Sequence, residues 1–257
     1  MIAQERFQAI SDLVAQRQKL TVGELQNELG VSAATLRRDL AELEALGKIV
    51  RVHGAVVHPG FFRGEPSFAQ KRRSSVNIKR AMALAAAELV PARATVFVDA
   101  GTTCLEVGRV LLARHDITLL THSLPLAALA YEGESAAKVI CIGGEVRTIS
   151  GATVGALALS WLQNLRADWC FVGASGLSPG SGASTTELGE AAMKQAMLGR
   201  AEHKVLVADA AKWNKPVTVD FATWNNFDFW VTGGEFAPDA AKTIKKIGPR
   251  VVHAART

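Results

Sequence analysis

Apolar residues in the first sixty positions recur at helical spacing. Ile2, Phe7, Ile10, Leu13 and Val14 predict a first helix over residues 3–17. Thr21-Val-Gly-Glu24 is a capping box, in which the threonine caps and the glutamate reaches back to the cap's own N–H. A short second helix follows, burying Leu25 and Leu29, and Gly30 can take the left-handed conformation that ends it. Val31 then packs inward and Ser32 caps a third helix. Along it Leu36, Leu40, Leu43 and Leu46 hold one apolar stripe, and Gly47 closes it. Ile49 to Val57 reads as two short strands, with Arg51 and His53 near their turn and Gly54 permitting the bend. Two short helices joined by a glycine turn, followed by a hairpin, predict a winged helix-turn-helix.

From residue 81 the pattern changes to short apolar runs alternating with helices. Strands are expected at Thr95–Asp99, Ile117–Thr121, Val139–Ile142, Trp169–Val172, Lys204–Ala208, Phe229–Thr232 and Arg250–His253. Helices are expected near 104–113, 124–131, 187–201 and 238–246. Such alternation predicts a mainly parallel sheet covered on both faces. The fold class is therefore α/β, with domains at 1–58 and 81–257. A basic connector at 59–80 joins them, broken by Pro59, Gly60, Gly64 and Pro66.

Charge sharpens this division. The net +5 of the 257 residues lies wholly in 59–80, where Arg63, Lys71, Arg72, Arg73, Lys79 and Arg80 face only Glu65. Residues 1–58 and 81–257 are each neutral. A phosphate-contacting segment has this composition, and so does a solvated linker. Hydrophobic residues make up 49% and charged residues 21%, a globular balance. No signal-peptide layout and no membrane-length apolar run is present, so a cytoplasmic protein is expected. Cys104, Cys141 and Cys170 lie in or beside apolar runs without ligand spacing, predicting buried free thiols and no structural metal.

Two groups of residues carry candidate chemistry. The first is the third helix and wing: Ser32, Thr35, Arg37 and Arg38 at the start of the helix, with Arg51 and His53 in the wing. A helix whose first turns are short, polar and basic suits the major groove. Arginine bonds guanine bidentately or holds a phosphate, and both roles remain open for Arg37 and Arg38. Asp39 is expected to pair with an arginine or a helix end rather than a base. The second group gathers at the carboxyl ends of the expected strands, where ligands of open α/β sheets sit. Asp99, Gly101, Thr102 and Thr103 follow the first strand, His122 the second, Gly143 and Gly144 the third, and Gly173 the fourth. Lys212 follows the strand at 204–208. Free N–H groups and two hydroxyls at a helix start suit a phosphate, and a lysine nearby suits its charge. No GxGxxG or Walker pattern fits, and no cofactor is expected.

Leu29-Gly-Val-Ser32, Thr35-Leu-Arg-Arg-Asp-Leu40, Leu43 and Arg51-Val-His-Gly-Ala55 resemble the DeoR family of bacterial transcription regulators. The resemblance continues through Asp99-Ala-Gly-Thr-Thr103, Gly143-Gly144, Phe171-Val-Gly-Ala-Ser-Gly176 and Ala208-Asp-Ala-Ala-Lys212. It implies DNA contacts by Thr35, Arg37 and Arg38, and a sensor domain resembling ribose-5-phosphate isomerase and glucosamine-6-phosphate deaminase. The expected function is a non-enzymatic regulator, a repressor of carbohydrate genes, controlled by a phosphorylated sugar. The expected partners are operator DNA, the sugar phosphate and further copies of the chain, as a dimer or tetramer, with no membrane. The alternative is a sugar-phosphate isomerase or deaminase with an accessory DNA-binding domain. For that chemistry Asp99, His122, Glu187 and Glu190 are candidates by type. The chain departs from the family in having His122 where asparagine is usual, and Ala210 and Ala211 where serines are common.

Overall fold

The structure is a computed structural model that describes residues 3–17, 19–46, 48–52, 55–57, 66–133, 135–237, 240–244 and 246–255. The chain divides into two compact units, Met1–Pro66 and Ser67–Thr257.

In the first unit α1 spans Ala3–Arg17, β1 Lys19–Thr21, α2 Val22–Leu29 and α3 Ala33–Ala45, followed by β2 (Val50–Val52) and β3 (Ala55–Val57). The capping box forms as expected: Glu24 N donates to Thr21 Oγ1 at 3.1 Å, and Thr21 N donates to Glu24 Oε2 at 2.7 Å. Gly30 closes α2 at φ 62°, and Ser32 Oγ accepts from Thr35 N at 3.2 Å to start α3. Leu36, Leu40 and Leu43 pack with Ile10, Val14, Leu25, Ile49 and Val56 in a small core. The stripe stops there. Leu46 is 60% exposed because α3 ends at Ala45 and Leu46 is its C-cap; Gly47 lies outside the described residues. β3 pairs antiparallel with β2, and on its other side with β1, a strand the pattern did not predict.

The second unit begins inside the stretch read as a connector. Residues 68–73 form α4 (Phe68–Arg73), and Lys79 and Arg80 lie in α5 (Val76–Ala87). The basic residues Lys71, Arg72, Arg73, Lys79 and Arg80 are thus helical and belong to the α/β unit. The remaining elements are β4 (Thr95–Val98), α6 (Thr102–Leu111), β5 (Thr118–Thr121), α7 (Leu124–Glu132) and β6 (Lys138–Cys141). A hairpin, β7 (Glu145–Arg147) and β8 (Ala152–Val154), leads into α8 (Gly155–Gln163) and β9 (Ala167–Gly173). Then come β10 (Gly176–Ser178), β11 (Gly182–Thr185), α9 (Leu188–Gly199), β12 (Ala201–Val207) and β13 (Val219–Ala222). β14 (Phe229–Thr232), α10 (Ala240–Ile244) and β15 (Arg250–His253) complete it.

Seven strands form one sheet in the order β15-β14-β12-β9-β4-β5-β6, with every pairing parallel. One face packs under α5, α6 and α7 through Met82, Leu105, Leu111 and Leu126. The other packs under α8, α9 and α10 through Leu162, Met193, Met197 and Ile244. A covering on both faces explains why these strands read as continuous apolar runs. The antiparallel sheet β10-β11-β13 is an addition that the sequence pattern did not predict.

Chain order reverses at the middle of the sheet. From β4 the chain runs outward through β5 and β6, then returns to β9 and runs the other way. The crevice beyond the carboxyl ends of β4 and β9 is therefore the topological switch point.

Two of the three thiols are buried as expected, Cys104 and Cys170; Cys141 is exposed because it ends β6, the edge strand. Burial pushes the Cys104 and Cys170 thiols up, which removes the reactive thiolate. An aromatic disulfide reagent should therefore titrate one thiol quickly in the native protein and two more only after denaturation. Loss of the fast phase in Cys141→Ser identifies it.

Candidate functional site

On α3 the capping hydroxyl of Ser32 also lies 2.9 Å from Thr35 Oγ1, which fixes the polar start of the helix. Arg37 and Arg38 are exposed and Thr35 is half-buried. Asp39 turns the other way. It is buried, and Arg6 of α1 grips it bidentately, Nε to Oδ2 at 2.7 Å and Nη2 to Oδ1 at 3.1 Å. One helix thus carries a structural acid inward and two arginines outward. Arg51 is the central residue of β2, opposite Val56; His53 lies outside the described residues.

At the switch point the structure gathers most of the residues expected there. Asp99 leaves β4 and is buried, and its Oδ2 accepts from Gly173 N at 3.0 Å. Its Oδ1 lies 3.1 Å from His122 Nε2. His122 is itself held from behind: Nδ1 donates to Thr153 O at 2.9 Å. The third partner of Asp99 is Lys194, whose Nζ donates to Oδ2 and, at 3.2 Å, to Gly173 O. Lys194 is not among the residues expected at the site from the sequence. A signal existed: Glu190 and Lys194 lie one turn apart on the same face of α9 as the buried Ala191, Met193 and Met197.

Burial by itself would push the Asp99 carboxyl up. The Lys194 charge and the hydrogen bond with His122 outweigh it and hold the carboxyl below the usual carboxylate range. Burial would likewise lower Lys194, but the charges of Asp99 and Glu190 raise it instead. The signs give a pH window. A depressed Asp99 contributes stability above the unfolded carboxylate pKa of about 4, lost as pH falls toward its lower folded value. A raised Lys194 contributes stability below the unfolded lysine pKa of about 10.4, lost as pH rises through its higher folded value. Unfolding midpoints of the wild type and of Asp99→Asn/Lys194→Met, measured from pH 3 to 8, should therefore converge as pH falls below about 4.

The other residues expected at the strand ends follow from here. Gly101 is the N-cap of α6 and offers no side-chain cap, so the first N–H groups of the helix are left without that partner. Thr102 begins the helix, buried, and Thr103 follows it, half-buried. Gly143 faces open space, whereas a Cβ on Gly144 would meet Val154 O at 2.7 Å, so Gly144 is a packing glycine. Gly173 lies close under Asp99, where a Cβ would be 3.5 Å from Oδ2. Beyond β12 Asp209 caps a short turn, accepting from Ala211 N at 3.0 Å, and Lys212 ends that turn half-buried. Lys79 of α5 is buried, and burial lowers it, with the Asp209 and Lys212 charges acting in opposite directions. On the far side Arg147 Nη1 donates to Glu190 Oε1 at 2.9 Å, and Glu187 caps α9 through Gly189 N and Glu190 N, both at 2.8 Å. Glu187 and Glu190 are therefore occupied in capping and ion pairing. Among the described residues no group of three or more metal-ligating side chains is placed to hold a metal ion, and no helix is long and apolar enough to cross a membrane.

Residues 6–59 match the DeoR-like helix-turn-helix domain, and residues 74–234 match the DeoR C terminal sensor domain. The chain is 36% identical over 252 residues to the HTH-type transcriptional regulator GlpR of Haloferax volcanii, covering 98% of each chain. It is 28% identical over 224 residues to the glycerol-3-phosphate regulon repressor of Escherichia coli, covering 87% of this chain and 88% of the relative. Among solved structures, a ribose-5-phosphate isomerase in complex with phospho-erythronic acid shares 16% identity at a TM-score of 0.39, covering 52% of each chain. Reading helix, wing and switch-point crevice thus stand in one chain with full-length relatives that are themselves regulators: the chain belongs to the DeoR family of helix-turn-helix transcriptional regulators and binds DNA through its first unit.

Proposed function

We propose that a phosphorylated sugar bound in the switch-point crevice sets the affinity of the first unit for its operator, and that the chain acts as a repressor of carbohydrate genes. The observation that carries this reading is the uncapped start of α6 at the switch point. Its N–H groups and the hydroxyls of Thr102 and Thr103 offer donors to phosphate oxygens, with Lys212 supplying the cation. The buried Asp99, His122 and Lys194 serve as the floor that holds β4, β5, β9 and α9 in register beneath the ligand. Gly101, Gly143 and Gly173 let its backbone approach. One of the relatives above supports a phosphorylated ligand, since a phosphorylated metabolite stands in its name, and both are regulators.

A single reading helix buries too little against DNA for strong specificity, so the working form is a homo-oligomer, a dimer or tetramer, that presents Arg37, Arg38 and the wing twice. The buried Asp99–Lys194 pair is also what an isomerase or deaminase would need, but a carboxylate held below its usual range is a weak base. This geometry supports a pocket that binds without turnover.

Trp213 adjoins Lys212, and its ring stacks on Trp230 with centroids 5.6 Å apart, giving an intrinsic reporter of the crevice. Titration of the full chain with sugar phosphates should produce a saturable fluorescence change. Thr102→Val and Lys212→Ala should each weaken the tightest binding at least tenfold. Unchanged affinity in both variants would remove the phosphate from this crevice.

A further inference from the structure

Part of the excess charge of residues 59–80 gathers away from the crevice. Arg72 and Arg73 from the last turn of α4, Arg80 from α5 and Arg109 from α6 line one cavity of about 420 Å³, with Phe68 in its wall. Glu106 is the one carboxylate in that lining among the described residues, with Oε2 3.4 Å from Arg109 Nε.

Local structure fixes the backbone of α4 and its turn into α5, from which the exposed Arg72, Arg73 and Arg80 project. Ser67 and Gln70 form a capping box at the start of α4, and Phe68 N donates to Ile149 O at 2.8 Å. At the other end the buried Lys79 donates to the carbonyls of Lys71 and Ser74, the second at 2.8 Å. Ser75 then takes φ 51°, a left-handed conformation without glycine. This strained turn leads directly into α5, the helix that carries Arg80.

A helix C-terminus attracts basic residues, which accounts for Arg72 and Arg73. It accounts equally for Arg109, in the last turn of α6, but not for Arg80, which lies in the first half of α5. The lining carries four arginines against one carboxylate, a net positive charge that suits an anion. Guanidinium forks match phosphate oxygens.

We propose that this cavity is a phosphate-binding site, filled either by the backbone of duplex DNA or by a free phosphate compound. It shares no residue with the crevice of Thr102, Thr103 and Lys212, and it does not depend on the sugar-phosphate reading. Arg109 does lie on the same helix as Thr102, two turns further on. A ligand at either place therefore bears on α6.

The test uses the full chain and Arg80→Ala/Arg109→Ala, with Lys138→Ala/Arg250→Ala as an equal loss of charge at exposed positions elsewhere. Binding to a duplex of arbitrary sequence is measured by fluorescence anisotropy from 50 to 300 mM salt, and unfolding midpoints are measured with and without pyrophosphate. If the source is DNA, the first double variant flattens the slope of log affinity against log salt by about two, and the second leaves it unchanged. If the source is a free compound, pyrophosphate raises the midpoint of the wild type and of the control but not of Arg80→Ala/Arg109→Ala. Parallel behaviour of the two double variants in both measurements would overturn the assignment.

Discussion

Replacing Lys194 by methionine should destabilise the α/β unit by about 3–5 kcal/mol, because it leaves the Asp99 carboxylate buried without its cation. That is a large part of the 5–15 kcal/mol typical of a folded domain. Asp99→Asn removes the other charge and strands the Lys194 ammonium, so a large loss is expected there too. The double variant Asp99→Asn/Lys194→Met removes both charges and should recover much of either loss. Chemical unfolding of the four proteins closes this cycle. Additive losses would mean that the contact between Lys194 and Asp99 does not couple them.

The second large effect concerns recognition. Arg37→Ala and Arg38→Ala should each lower operator affinity roughly ten- to hundredfold without moving the unfolding midpoint, since both side chains are exposed. Their kinds of loss should differ. An arginine on a base edge relaxes preference at one position of the site, whereas one on a phosphate weakens all duplexes alike and reduces the salt slope by about one. Asp39→Ala should behave in the opposite way, lowering the stability of the first unit by releasing Arg6 from its two hydrogen bonds. Binding selections on randomised duplexes, run beside thermal unfolding, separate the three.

Local chemistry made the first unit legible. Thr21 with Glu24, Gly30 and Ser32 each act within one helical turn, so sequence neighbours suffice to define the boundaries. Leu46 misled because the leucine spacing runs one residue past the end of α3. β1 was hidden because three residues, Lys19 to Thr21, carry no period; they become a strand only by pairing with β3. The parallel sheet was visible as short apolar runs, and with it the crevice, because strand ends follow from strands. β10 and β11 were not, since Gly-Leu-Ser and Gly-Ala-Ser-Thr are turn-like in composition, and β11 also depends on β13, a partner far along the chain. Lys194 escaped for a related reason. A charge on a helix is ordinarily solvated, and its burial follows only once α9 is laid over β4 and β9.

The most direct test of a metabolite-controlled reading head joins both units in one measurement. Anisotropy of a labelled operator duplex, selected by the protein from a random pool, is followed while sugar phosphates are added to the full chain. At least one phosphosugar should change operator affinity tenfold or more in the wild type, its unphosphorylated sugar should not, and Lys212→Ala should abolish the response while still binding the operator. Operator affinity indifferent to every phosphosugar, or a response that survives intact in Lys212→Ala, would contradict the account.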